Sequence, residues 1–304
     1  MRTGLRGLRP QGLQGVAGIL GVAALWGGTF PAMKHAFQTS DPMPFLAARF
    51  ALASVALWGG MRLTGRRPQV TRWGVATGVL VFLGFAFQLE GLAGTSATKS
   101  AFITGLNAPL VPAIEFLAFR RRPPFRSILA VSLGVIGLGL LTGAIWGIPL
   151  SRGDALTLVC AFIWAAQVVA VDRLAGSMDP ASLAMSQFLP TPVLATLLSP
   201  LLGERSLPTT WPAAASAAYT GLLATALAFF LQAWAQARIP PESAALGLLA
   251  EPVFAAAFSW AMLGEGLTPA QAAGAALILT SIPLSASQGP ESRDSTDAYG
   301  GDAG

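Results

Sequence analysis

Ten apolar stretches of roughly twenty residues, parted by gaps too short to hold a domain, leave this chain few ways to fold. They lie near residues 14–33, 43–61, 73–92, 98–119, 127–146, 154–171, 181–202, 211–236, 241–263 and 268–287. A stretch of that length crosses a bilayer as a helix, which satisfies its own backbone hydrogen bonds where no water can. The gaps carry turn chemistry: Thr39-Ser40-Asp41-Pro42, Arg122-Pro123-Pro124, Asp179-Pro180 and Ile239-Pro240-Pro241. Only 11% of the residues are charged, against roughly 25% in a soluble domain. The expected fold class is an all-α integral membrane protein of about ten transmembrane helices.

The chain is 304 residues long with a formal net charge of +5. That charge sits in the gaps, so it points to membrane topology rather than to nucleic acid. With the N-terminus placed in the cytoplasm, fourteen of the nineteen basic residues fall on the inner side: Arg2, Arg6, Arg9, Arg62, Arg66, Arg67, Arg72, Arg120, Arg121, Arg122, Arg126, Arg173, Arg238 and Arg293. Lys34, Arg49, Lys99, Arg152 and Arg205 lie in outer gaps or within spans. Both termini are therefore expected in the cytoplasm, with residues 1–13 a short leading segment and 288–304 a disordered acidic tail. The early arginines read as the flank of an uncleaved first span, since Ala23-Ala24-Leu25-Trp26 is a poor cleavage site.

The two halves echo each other. An offset of 138 residues lays Trp26 on Trp164, Lys34 on Asp172, Pro42 on Pro180, Arg49 on Gln187 and Phe50 on Phe188. An offset of 144 lays Gln88 on Gln232, Asn107 on Glu251 and Ala108 on Pro252. Five spans per half, an odd number, would set the second half upside down, as in many secondary transporters. The expected units are residues 14–147 and 153–287.

The segments Ala24-Leu25-Trp26-Gly27-Gly28-Thr29-Phe30, Gly91-Leu92-Ala93-Gly94-Thr95-Ser96-Ala97 and Ser100-Ala101-Phe102-Ile103-Thr104-Gly105-Leu106 are distinctive. So are Gly153-Asp154 leading to Trp164, and Glu251-Pro252-Val253-Phe254 running on to Leu263-Gly264-Glu265. In these the chain resembles the EamA-type transporters of the drug/metabolite transporter superfamily, over nearly its whole length. It departs where Arg120-Arg121-Arg122 replaces the Gly-Glu ending of the first half. The resemblance implies two inverted five-helix repeats, a central cavity, and export or exchange of metabolites from a bacterial cytoplasmic membrane. It also implies that spans five and ten pack at the periphery or face a second copy in a homodimer.

Polar groups deep in apolar spans are the candidate site, because each costs roughly 2.5–3.5 kcal/mol on insertion scales if ionisable. Glu251 lies about 15 Å into span nine at 1.5 Å per residue. Pro252, beside it, frees the carbonyl of Leu248. Asn107, with Pro109 and Pro112 freeing the carbonyls of Gly105 and Ala108, forms the matching break in span four. Interrupted helices at corresponding places in two halves are a pointer to a transporter's binding site. Arg49 reads either as a partner for a substrate carboxylate or as a packed structural charge. Trp26 and Trp164 are too deep for an interfacial belt and read as cavity lining or core. Gln88, Gln167, Gln187, Gln232 and Gln236 line a path or bond helix to helix; Gln88 and Gln232 are kept as candidates. Lys34 reads as an interfacial anchor or a gate, His35 as interfacial, and Glu115 as an ion pair with Arg120.

One histidine and one cysteine, Cys160, leave no metal cluster, no disulfide and no Ser-His couple. Thr98-Lys99-Ser100 lacks the glycines of a phosphate loop. No cofactor is expected, and the expected partners are a small-molecule substrate and membrane lipids. The leading expectation is a non-enzymatic secondary transporter of small metabolites, such as amino acids or related amphiphilic amines, working by alternating access. A membrane assembly partner and a lipid-modifying enzyme are the alternatives, the second disfavoured because acid and base groups do not cluster at one interface.

Overall fold

The computed structural model describes residues 10–94, 97–120, 122–142, 151–263 and 267–286. Among these, the secondary structure is helical throughout, in ten stretches separated by loops. The first half holds α1 (Pro10–Gly27), α2 (Thr29–Ala36), α3 (Pro42–Leu63), α4 (Arg72–Ala93), α5 (Ala97–Gly105), α6 (Asn107–Phe119) and α7 (Phe125–Thr142). The second holds α8 (Arg152–Ala175), α9 (Pro180–Phe188), α10 (Pro190–Leu198), α11 (Trp211–Gly221), α12 (Ala228–Gln236), α13 (Pro241–Leu248), α14 (Glu251–Leu263) and α15 (Pro269–Ala286). A 3-10 turn, Ser199–Leu202, extends α10, and a π-helical segment, Leu222–Leu227, joins α11 to α12. Seven helical stretches among the described residues are long and apolar enough to cross a membrane.

Local chemistry explains the ends. Thr71 caps α4 by accepting from the Gly74 amide at 3.1 Å. Ser151 and Asp154 form a reciprocal capping box on α8. Asp179 caps α9, with Pro180 filling the first helical position. Arg120 closes α6 in the left-handed conformation, φ 58°. The ion pair expected between Glu115 and Arg120 is replaced by one across helices: Arg173 of α8 reaches Glu115 at 3.1 Å, with its guanidinium 3.6 Å from the Phe119 ring centre. The reason is reach, since the C-terminus of α8 lies alongside α6.

Helix contacts follow one rule. α4 packs on α8 as α12 packs on α1, and α6 packs on α8 as α14 packs on α1. α3 meets α10 and α7 meets α15, each a helix against one from the span holding the same place in the other half, and α6 meets α13 across the paired breaks. Glycines allow the closest of these approaches. A Cβ on Gly137 would stand 2.7 Å from the Gly274 carbonyl oxygen, so α7 and α15 cross backbone to backbone.

Two buried clusters result. One gathers Ile19, Val22, Val111, Leu138, Leu246 and Ile278; the other gathers Phe50, Phe82, Trp164, Phe188 and Phe229. Trp26 packs against both. At the end where α2 meets α3, the halves are clasped. The Asp41 carboxylate accepts from the amides of Arg205 (2.7 Å) and Ser206 (2.8 Å), and Glu204 accepts from the Met43 amide at 2.7 Å.

Candidate functional site

The π-helical segment is the anchor of the polar interior. A π turn shifts carbonyls off the regular i to i−4 ladder, and such turns recur at functional sites. Here the Ala224 carbonyl accepts from the Trp26 indole at 2.8 Å and from Arg49 Nη2 at 3.3 Å. The Thr225 hydroxyl accepts from Arg49 Nε at 2.7 Å. Arg49 is 3% exposed, so it does not reach out toward water. Its guanidinium carbon lies 4.9 Å from the Phe85 ring centre and 5.8 Å from that of Phe50. Three elements, α3, α4 and the π segment, therefore immobilise one cation.

Glu251 supplies the opposite charge. It opens α14, after α13 ends at Leu248 and Leu249–Ala250 interrupt the rod. Its carboxylate and the Arg49 guanidinium are near enough for their charges to interact, and Tyr219 shares that field. No described residue hydrogen-bonds the Glu251 carboxylate, which is half-buried. Tyr219 donates to the Leu25 carbonyl at 3.1 Å, holding α1 against α11. Gly27 lets α1 approach the break: a Cβ there would stand 2.9 Å from both the Glu251 carbonyl oxygen and the Ala255 amide nitrogen.

The break in the first half matches. Asn107 opens α6, with Leu106 alone between it and the end of α5 at Gly105. Pro109 and Pro252 fall in the first turns of α6 and α14, where a missing amide hydrogen costs little; Pro112 lies inside α6. Two helix N-termini thus end in the protein interior, each with its partial positive charge. The breaks touch, since a Cβ on Gly105 would press 3.2 Å from Leu249 Cδ2. The Asn107 Oδ1 is buried with no hydrogen-bond partner among the described residues. A buried acceptor without a donor calls for water or a ligand.

Beneath lies a six-ring cluster. Trp26 and Trp164, aligned by the offset of 138, have centroids 6.4 Å apart. Trp26 meets Phe229 at 5.8 Å, and Trp164 meets Phe85 edge-on at 5.2 Å. Phe50–Phe85 and Phe188–Phe229 both measure 5.7 Å, and Phe50–Phe188 5.9 Å. Each of these contacts is the counterpart of another, or of itself, when the halves are exchanged; Phe50–Phe229, at 6.1 Å, stands outside that pattern. Arg49 and Gln187 break this symmetry, sitting beside Phe50 and Phe188 respectively.

The glutamines divide. Gln167 donates to Gln187 (2.9 Å), Gln232 to Gln167 (3.2 Å) and Gln236 (3.0 Å), and Gln236 to the Val168 carbonyl (2.8 Å). Gln232 is 1% exposed within this network, which joins α8, α9 and α12. Gln88 is half-buried on α4. The Lys34 and His35 side chains, and the segments 1–9 and 287–304, lie outside the described residues. Sequence reading overlooked Phe85, Phe229, Tyr219 and Thr225. Phe85 and Phe229 are 144 apart, the offset that paired Gln88 with Gln232, so the repeat could have found them.

Comparison with known proteins fits this arrangement. The model of the EamA-like transporter family matches twice in succession, over residues 13–143 and 151–287. An uncharacterized transporter of Archaeoglobus fulgidus is 32% identical over 270 residues, covering 87% of this chain and 83% of its own. The uncharacterized transporter YdfC of Bacillus subtilis is 26% identical over 256 residues, covering 79% and 80%. A crystal structure at 19% identity superposes with a TM-score of 0.77 over 90% of this chain and 97% of that one, and so shares the fold.

Proposed function

The chain belongs to the EamA-like transporter family, and from that premise we propose that it is a secondary transporter of small zwitterionic or amphiphilic amine metabolites, amino acids among them. Transport is by alternating access, with two inverted five-helix halves rocking about the paired breaks at Asn107 and Glu251. The double match of one family model, the exchange symmetry of the helix contacts and the symmetric ring cluster support the inverted halves.

One observation carries the substrate reading. Arg49 is held rigid by the π segment, while Glu251, within its field, has no hydrogen bond from a described residue. A substrate ammonium would complete Glu251, and a substrate carboxylate would share Arg49. Asn107 Oδ1 would accept a further donor, and Trp26 and Trp164 would hold the apolar part. Gln88 and Gln232, the latter with a buried Oε1 that no described residue hydrogen-bonds, complete the lining; Pro252, Pro109, Pro112 and Lys34 serve the helix breaks and gating.

The chain is oriented with both termini in the cytoplasm of a bacterial cell, as an exporter or exchanger in the inner membrane. Arginine–aromatic pairs at one end of the bundle support this: Arg62 with Trp58 (5.2 Å), Arg72 with Trp73 (5.3 Å) and Arg238 with Trp234 (3.9 Å). Tryptophans gather at both membrane boundaries, and the excess of arginine is what assigns this one to the cytoplasm.

Counterflow into proteoliposomes, with a panel of labelled amino acids and organic amines, tests the proposal. Wild type is expected to take up one class, and Glu251→Gln to lose it while remaining folded. Uptake unaltered in Glu251→Gln would remove the site from span nine. No uptake of any compound by folded wild type would overturn the substrate class.

A further inference from the structure

The lipid-facing side carries two grooves between α3 and the α11–α12 rod, and they differ in one respect. The one nearer the clasp, about 400 Å³, is lined by Ala48, Leu52, Val55, Pro208 and other apolar residues, with no charged group. The other, about 340 Å³, runs from Ala56 past Gly60 and Met61 to Thr64 and Arg66, walled opposite by Leu227 and Phe230. From Ala56 to Thr64 is about 12 Å along the helix axis at 1.5 Å per residue. That length takes roughly ten methylenes of an extended chain, apolar along its course and basic at its end.

We infer that this second groove is a binding site for one anionic phospholipid of the leaflet at the arginine-rich end of the bundle. Its acyl chain lies along Gly60 and Phe230, and its phosphate is held by Arg66. Charge complementarity commits the occupant. Arg66 is well exposed, and its one described partner is Asp179, at 3.5 Å across open surface. A pair that long and solvated is worth little, so a phosphate can displace or join it. Arg62 and Arg67 flank it on the same turn and loop, and each basic group near an anionic surface adds roughly 1 kcal/mol of attraction. A zwitterionic headgroup brings the same phosphate but also a quaternary ammonium that Arg62, Arg66 and Arg67 repel, so it gains less, and the first groove offers it no charged partner.

The site matters because of what its wall does. Leu222, Ala226 and Leu227 belong to the π segment. Ala224 and Thr225 of that same segment hold Trp26 and Arg49. An acyl chain packed on the segment from outside supports the anchor of the polar interior from behind. Lipid occupancy would then steady the position of Arg49, whichever solute is carried.

Native mass spectrometry of the full chain, released from bilayers of phosphatidylcholine with or without phosphatidylglycerol, tests this directly. Wild type is expected to retain one phosphatidylglycerol at collision energies that strip phosphatidylcholine. A Cβ on Gly60 meets nothing within 4 Å, so the backbone there accepts a side chain, and Gly60→Phe puts a ring on the wall of the groove. It is expected to cut retention at least fivefold. Arg66→Gln, on an exposed loop where folding is not at stake, is expected to weaken the preference for the anionic lipid severalfold. Ala51→Phe, in the first groove, should change neither. Inorganic phosphate should not displace the retained lipid. Equal retention of both lipids by wild type, or retention unchanged in Gly60→Phe and Arg66→Gln, would overturn the site. Because the readout is lipid bound, the result stands or falls apart from any transport measurement.

Discussion

Arg49 places a guanidinium, 3% exposed, inside an apolar bundle, and its surroundings answer that cost group by group. A charge there is tolerated when donors find acceptors and the face finds a ring; Thr225, Ala224 and Phe85 provide these. Arg49→Lys keeps the charge but loses the planar fork. Losing a hydrogen bond to a charged group costs about 1.5–3 kcal/mol, so substrate uptake is expected to fall roughly ten- to hundredfold. Initial counterflow rates, normalised to folded protein, measure this. Trp26→Phe removes one donor from the Ala224 carbonyl, and a thermal unfolding curve should show a loss of about 1 kcal/mol. At this scale Glu251, Asn107, Arg49 and the two tryptophans were legible, because polarity or bulk is conspicuous in an apolar span. Phe85 and Phe229 were not, since a phenylalanine in such a span reads as ordinary lipid-facing or core material.

Helices were legible as lengths but not as rods with faults. The span expected as a single helix at residues 14–33 is two, with a break at Gly28, and the interruptions expected in 98–119 and 241–263 fall at Leu106 and Leu249–Ala250. Proline announced the second and third of these. The π segment had no announcement, because Leu222–Leu227 contains neither proline nor glycine and its widening depends on what α1 and α3 bring against it. Glycine contacts are tertiary in the same way. Gly137 and Gly274 bring α7 and α15 together, while Gly59 and Gly60 face open space. Gly274→Val is expected to destabilise by about 1–3 kcal/mol through overpacking. Gly59→Ala should be neutral or stabilising by about 0.5–1 kcal/mol, since only helix propensity changes. Melting temperatures of the two variants in one detergent would separate these cases.

Across the whole molecule, the two halves meet at a clasp whose carboxylates titrate in opposite senses. The amides of Ser206 and Arg205 hold Asp41 below its usual range. Burial pushes Glu204 above its own, with Asp41 and Glu90 adding repulsion against the Met43 amide. For Asp41 the lowered value means stability present at neutral pH and lost as pH falls through the folded-state value. For Glu204 the raised value means stability gained as pH falls through it. The clasp should therefore be firmest in mild acid, between the two, and fail below Asp41's value. Melting temperature against pH is expected to rise slightly and then drop in wild type, and Asp41→Asn should blunt the drop. A monotonic curve identical in both would show that the clasp does not join the halves energetically.

Apolar length, the gaps and the arginine bias were enough to determine a helical membrane protein and its approximate spans, because a bilayer admits little else for such segments; its family was carried instead by the motif segments, Glu251-Pro252-Val253-Phe254 and Gly153-Asp154 among them. The offsets of 138 and 144 also carried the pairing of Trp26 with Trp164 and of Asn107 with Glu251. Tertiary structure alone decided which polar groups stand free and which are consumed. Gln232 and Glu251 look alike as polar residues in apolar spans, yet one is bonded into a buried glutamine network and the other faces Arg49 with no described donor. Hydrogen bonding is directional and short-ranged, so it depends on how helices rotate and approach, which the order of residues along each helix does not contain.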